Sequence, residues 1–189
     1  MLLQFSRTAL MVLALGLQCG CQSPAIGEAK DGQWWVTLGE SEHTAFVTGY
    51  LDCLDWANLP SYPEMSNRQL ATSISNRYAE RSRDMTRPAS ELLASIGGLT
   101  KRAPEANEEF GYSGDYWRQI SSQDRRAYVH GFVTCASDKR LRKFSKRAES
   151  YVDAVSSWYG LTPDGEDMDS KRVNTALRDA LLKFADDGK

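Results

Sequence analysis

The sequence predicts an all-α protein, a helical bundle of two tandem three-helix repeats related by internal duplication. Three observations lead there. One stretch occurs twice, 82 positions apart and without a gap: Trp35, Ala45, Phe46, Val47, Gly49, Tyr50 and Cys53 recur as Trp117, Ala127, Tyr128, Val129, Gly131, Phe132 and Cys135. Over residues 32–53, six of 22 positions are identical in the second copy and six more are close exchanges, more than chance supplies. The apolar residues follow helical spacing: Ala45, Phe46, Gly49, Tyr50, Cys53 and Leu54 fall on one face. Helix starts are marked by capping boxes at Ser66/Gln69 and Ser121/Asp124, and no stretch reads as a convincing strand.

The chain opens with Arg7 and then an apolar run over residues 8–17, too short to span a bilayer, with no acidic residue before Glu28. This reads as a secretory signal peptide. It ends in Gln18-Cys19-Gly20-Cys21, which resembles a bacterial lipobox, although Gln18 stands where that pattern wants an aliphatic residue. The expectation is removal of the leader within residues 1–21 and lipid on Cys21, with ordinary signal-peptidase cleavage as the alternative. Residues 22–31, small and polar, form a tether. The expected location is the periplasm, anchored by that lipid to a bacterial membrane.

The first repeat is expected over residues 32–98. It begins at Trp34 and Trp35, and a helix follows from about 40 to 57. Within that helix Ala45-x3-Gly49-x3-Cys53 forms a stripe of small residues, matched by Ala127-x3-Gly131-x3-Cys135. A glycine inside a helix costs about 1 kcal/mol relative to alanine. Its recurrence predicts close helix packing at Ala45, Gly49, Ala127 and Gly131; a bend or inherited drift is the alternative. A second helix is expected from Ser66 to about Glu80, with Leu70, Ile74 and Tyr78 inward. A third starts at Pro88, with Leu92, Leu93 and Ile96 inward, and is closed by Gly97 and Gly98.

Residues 99–113, with Pro104 and the acidic Glu105, Glu108 and Glu109, are the expected linker. The second repeat, 114–189, is expected to carry a helix from about 121 to 137 and another from about 144 to 159. Val152, Val155 and Tyr159 are placed inward, and Gly160 ends this helix. The last helix is placed at about 170–185, with Val173, Leu177, Leu181 and Phe184 inward. Ile74 and Tyr78 match Val155 and Tyr159 at a spacing of 81, so one residue has been lost between the copies.

No catalytic or metal-binding set is legible, and no cofactor is expected. His43 and His130 stand at unrelated positions of the two repeats, without a partner at metal-ligand spacing. The acidic run Asp164, Glu166, Asp167 and Asp169 fails as a calcium loop, because its glycine comes second and Thr175 stands at the bidentate position. Asp52 and Asp55 lie one helical turn apart and are weighed as paired carboxylates, but the second repeat has Thr134 and Ser137 there. Without the first 21 residues the net charge is −3, from 22 basic and 25 acidic residues, which argues against a nucleic-acid partner. The strongest charge feature is Lys139, Arg140, Arg142, Lys143, Lys146 and Arg147, six basic residues in nine. It reads either as a surface for an acidic partner or anionic membrane, or as a solvated helix start.

Cys53 and Cys135 are the two thiols left if the leader is lost and Cys21 acylated. In an oxidising compartment a disulfide between them is expected, since each ends the same small-residue stripe. Two separate buried thiols are the alternative.

Residues 45–96 resemble the small helical immunity proteins that protect against type VI secretion amidase effectors. The resemblance rests on Phe46-Val-Thr-Gly49-Tyr50, a following loop with proline, Gln69-Leu70, Tyr78, and Pro88-Ala89 before the last helix. It implies an all-helical periplasmic protein that occludes a toxin's active site. The chain departs from that family in having two such units, and the family's typical cysteine pairs are not evident. The function expected is a non-enzymatic envelope binding protein with a periplasmic protein partner, in the immunity reading a secreted toxin. A structural or assembly lipoprotein of the envelope is the alternative.

The leader makes one prediction. Cells fed labelled palmitate should incorporate it into this chain, and Cys21→Ser should abolish the label. Label that survives the substitution, or never enters, sinks the lipid assignment.

Overall fold

The computed structural model describes residues 30–60, 65–96, 112–161 and 176–186. The expected leader with Cys21, the expected tether up to residue 29, Gly97 and Gly98, the expected linker up to residue 111, the acidic run 164–169, Thr175 and Val173 lie outside them. Among the described residues there are eight α-helices, one 3-10 turn and no strand: α1 Gly32–Trp35, α2 Glu40–Trp56, α3 Asn67–Glu80, the 3-10 turn Ser82–Thr86, α4 Ala89–Ile96, α5 Gly114–Gln119, α6 Ser122–Asp138, α7 Ala148–Tyr159 and α8 Leu177–Leu182.

The caps fall where the sequence places them. Ser66 accepts from the Gln69 amide at 3.3 Å while the Gln69 side chain accepts from the Ser66 amide at 2.8 Å. Ser121 and Asp124 reciprocate at 3.1 and 3.3 Å. The first-turn Glu42 carboxylate accepts from the Gly39 amide at 2.6 Å and starts α2. Gly160 ends α7 in the left-handed conformation, φ 77°.

The core is built on α2 and α6. Gly49 lies against the backbone of Tyr128 and Phe132, and Gly131 against the backbone of Phe46 and Tyr50. A disulfide joins Cys53 to Cys135, with Cα atoms 6.1 Å apart. Going from the glycines to the cysteines, both helices advance together, so they run parallel. Their N-termini share one end of the bundle and their C-termini the other. α3 packs on α2, with α4 against α3; α7 packs on α6, with α8 against α7. Leu70, Ile74 and Tyr78, Leu92 and Leu93, Tyr159, and Leu177 and Leu181 are all buried, as their spacing predicts.

Corresponding joints recur in the two halves. Trp35 and Trp117 are buried, and each indole N–H donates to a serine, Ser75 or Ser156, at 2.9 Å. The amide of Ala89 donates to the Lys30 carbonyl, and that of Leu177 to the Tyr112 carbonyl. α2 and α6 stop in the same way, with Asn58 at φ 52° and Arg140 at φ 53°.

The structure corrects the expected elements in four places. There are more than six helices, because α1, α5 and the 3-10 turn are additional. The first two span four and six residues, too few for a periodicity to show. The turn is folded by the buried Asp84, whose carboxylate receives Arg77 at 3.1 Å and Arg87 at 3.4 Å. α7 begins at Ala148 rather than near 144. Phe144 is itself core, and the Lys143 carbonyl, accepting from Asp186 at 2.9 Å, keeps this stretch non-helical. The inward face of α7 is therefore Ala148, Tyr151, Val155 and Tyr159, with Val152 half-buried. α8 begins at Leu177, since Ala176 is extended, φ −59° and ψ 138°, where the chain meets Ser113. Ile96 and Phe184 pack on the core but are only half-buried.

A β-carbon built at Gly131 would overlap the Phe46 carbonyl oxygen, and one at Gly49 the Tyr128 carbonyl oxygen. Backbone cannot rotate aside as a side chain can. Gly131→Ala should therefore cost roughly 1–3 kcal/mol through overpacking, read as a lowered midpoint in denaturant. The same substitution in a solvated helix would gain about 1 kcal/mol, so the sign alone tests the close approach.

Candidate functional site

Three features bear polar chemistry: a buried carboxylate at the α2–α6 seam, a cleft at the N-terminal end of that pair, and the basic segment at its C-terminal end.

The carboxylate is Asp52, only 6% exposed. The Tyr128 hydroxyl donates to it, and the Arg178 guanidinium from α8 lies 3.8 Å away. Burial pushes its pKa up to about 6, outweighing the Tyr128 hydrogen bond and the Arg178 charge that pull it down; Asp55 and Asp179 add to the rise. Burial, with the Asp52 charge beside it, also holds the Tyr128 phenol well above its usual range. Asp55 is exposed. The two carboxylates weighed as an acid/base pair thus have opposite environments, and Asp52 pairs instead with a tyrosine and an arginine from the other half. Neither partner was foreseen. The available signal was an acid inside a helix whose residues 45–54 are all buried.

The histidines pack. His43 stacks on Trp35, ring centroids 4.3 Å apart, and its Nε2 donates to the Trp35 carbonyl at 2.8 Å. His130 is buried edge-on to Trp34 at 5.8 Å. Burial, with Lys30 and Arg126 nearby, pushes its pKa down to about 3, so it is neutral at physiological pH.

The cleft, about 620 Å³, lies between the N-terminal ends of α2, α3 and α6 and is lined by Glu40, Thr44, Arg68, Tyr116, Ile120 and Asp124 among others. Arg68 and Glu40 pair across it at 2.6 Å. Neither Asp52 nor either histidine lines it. Among the described residues no three His, Cys, Asp or Glu side chains gather as metal ligands, and no helix is long and apolar enough to cross a membrane.

The remaining residues singled out in the sequence fall in two places. Gly49 and Gly131 lie at the α2–α6 contact, which also holds the Cys53–Cys135 bond, and Ala45 and Ala127 are buried. Lys139, Arg140, Arg142, Lys143, Lys146 and Arg147 are all exposed, and none forms an ion pair with another described residue. Between them Leu141 is half-buried and Phe144 is buried, its ring 6.2 Å from Phe132 and 5.3 Å from Tyr151. Comparison with protein families, curated proteins and solved structures finds no match to this chain.

Asp52 sets a pH dependence whose sign can be worked out. A carboxyl whose folded pKa is raised binds its proton more tightly in the folded state, so stability is greater below the unfolded value and is lost as pH rises through about 6. From 3.8 to about 6 the loss amounts to roughly 3 kcal/mol at most. His130 acts oppositely: its depressed pKa costs stability as pH falls below its ordinary value. The test is therefore a difference. Asp52→Asn should be more stable than the parent at pH 8, and the gain should fade between about pH 6 and 4. A gain independent of pH, or none, would remove Asp52 as the titrating group.

Proposed function

We propose that the chain is a non-enzymatic binding protein of the bacterial cell envelope, in the periplasm and held to a membrane through lipid on Cys21. Its partner is an acidic protein, and in the immunity reading it binds and blocks a secreted toxin. The observation that carries this is the basic segment 139–147: six cations stand exposed while the apolar residues between them anchor in the core. The fold uses the anchors and leaves the charges to solvent. The leader with its lipobox-like end and the resemblance of residues 45–96 to immunity proteins support the location and the class of partner. A structural or assembly lipoprotein draws equally on the tether and the repeat, but gives the basic segment no task.

The architecture fits two units that arose by duplication, each of three helices preceded by a short one. Support comes from the repeated joints at the two tryptophans and the two helix stops, and from the reciprocal glycine contacts. Ser75 and Ser156, which receive the two indoles, are 81 apart, the spacing that the loss of one residue predicts.

Charge reversal at Lys139, Lys143 and Lys146 should abolish capture of the partner from envelope extracts at low salt. Capture by the parent should weaken as salt shortens the Debye length from about 30 Å at 0.01 M to 10 Å at 0.1 M. Undiminished capture by the reversed protein at every salt concentration would return the segment to a solvated face.

A further inference from the structure

We propose that residues 139–147 form a preorganised surface that recognises a folded acidic protein face, with Arg140 and Arg147 held at backbone positions where the fold alone favours other residues. The proposal rests on the partner-binding reading of the segment and names the partner's chemistry.

Arg140 follows the last turn of α6. Its amide donates to the Ser137 carbonyl at 3.0 Å and the Leu141 amide to that of Ala136 at 2.8 Å, the pair of bonds that closes a helix in a left-handed stop. Arg140 sits at φ 53°. A β-carbon is disfavoured there, and glycine or asparagine is the usual occupant. Among the described residues two other helices end with the same pair of bonds, and they use Asn58 and Gly160. A cation near the C-terminal end of a helix gains from the helix dipole, which offsets part of the strain.

No such offset exists at the other end of the segment. Arg147 is the N-cap residue of α7 and makes no side-chain cap, whereas Asp31, Ser66 and Ser121 cap their helices. Lys146 and Arg147 both stand at the positive end of the α7 dipole, where cations are unfavourable. In nine residues, then, two positions carry arginine where stability favours a different side chain.

The segment is also held rigidly. Cys135, one turn before its start, is in the disulfide; Phe144 is buried; the Lys143 carbonyl accepts from Asp186, and the Lys146 amide donates to the Tyr151 hydroxyl at 3.1 Å. Rigidity and fixed placement lower the entropy lost on meeting a partner whose carboxylates are themselves fixed. An anionic bilayer rewards basic residues near its surface roughly additively and does not require them in particular backbone positions. The geometry therefore points to a protein face rather than a lipid surface.

The test separates placement from charge. Arg140→Gly and Arg147→Ser are made singly in the full chain, together with a swap, Arg140→Gly with Ser145→Arg, that keeps six cations in the same nine residues. Probes are a helical peptide with four glutamates along one face and vesicles of phosphatidylglycerol in phosphatidylcholine. Each single variant should melt about 2–4 °C higher than the parent and bind the peptide at least about threefold more weakly. The swap should lose peptide affinity to the same degree and keep its vesicle binding. Three results overturn the proposal: a swap that binds the peptide like the parent, vesicles bound more tightly than the peptide, or melting points that do not rise. If charge reversal at Lys139, Lys143 and Lys146 leaves peptide binding unchanged, the partner-binding reading fails as well. If reversal abolishes binding and the swap does not, only the placement argument falls.

Discussion

The structure depends on one backbone contact. α2 and α6 approach so closely at Gly49 and Gly131 that each glycine touches the other helix's main chain rather than its side chains. Side chains on both helices set the usual separation of packed helices at 8–10 Å, and their absence is what lets this pair come nearer. The close approach brings Cys53 and Cys135 within disulfide reach, at a Cα separation of 6.1 Å, which helices at ordinary spacing seldom achieve. It also places Tyr128 of one helix against Asp52 of the other. The disulfide and the buried hydrogen bond are both consequences of two missing β-carbons.

Around this seam each half closes on itself in the same way. A tryptophan indole bonds to a serine of the helix that follows the central one, α3 or α7, and the chain preceding that tryptophan accepts a hydrogen bond from the first residue of α4 or α8. These joints satisfy polar groups that the buried aromatic core would otherwise strand. Asp84 does comparable work in the first half: burial raises its pKa, but Arg77 and Arg87 outweigh that and hold it below the usual carboxylate range. A turn too short to bury much apolar surface is thereby fixed through charge.

What was legible in the sequence was whatever repeats over several turns or carries a local chemical signature. The long helices α2, α3 and α6 came from periodicity and caps, and the close contact came from a glycine recurring where helices penalise it. The disulfide was legible because the stripe and the cysteines share a helix face. The one-turn helices were not, since four residues give no period, and neither were the starts of α7 and α8. Those starts are fixed by contacts with residues distant in the chain, Asp186 with Lys143 and Tyr112 with Leu177, which no local pattern encodes. The partners of Asp52 were hidden for the same reason: Tyr128 is 76 positions away. Of the candidate surface, the charges were plain, but the strain at Arg140 was not, because a left-handed φ at an arginine leaves no mark on the sequence.

The differences between matched positions locate what the common architecture does not require. Gly49 and Gly131, Cys53 and Cys135, and Trp35 and Trp117 are the same in both halves, and each has a structural task. Asp52 has Thr134 as its counterpart in sequence, and only Asp52 draws in the part-exposed Arg178, so this ion pair ties α8 to α2 on one side alone. With the one lost residue allowed for, residues 139–147 correspond to residues 57–66, a stretch with no basic residue at all. Because α2 and α6 run parallel, these two stretches begin at the same end of the bundle, one neutral to acidic and the other carrying six cations. A pair of helices that is nearly symmetric in its core is thereby given one charged side. Packing cannot account for that side, because the residues that pack within it, Leu141 and Phe144, are not the ones that bear charge.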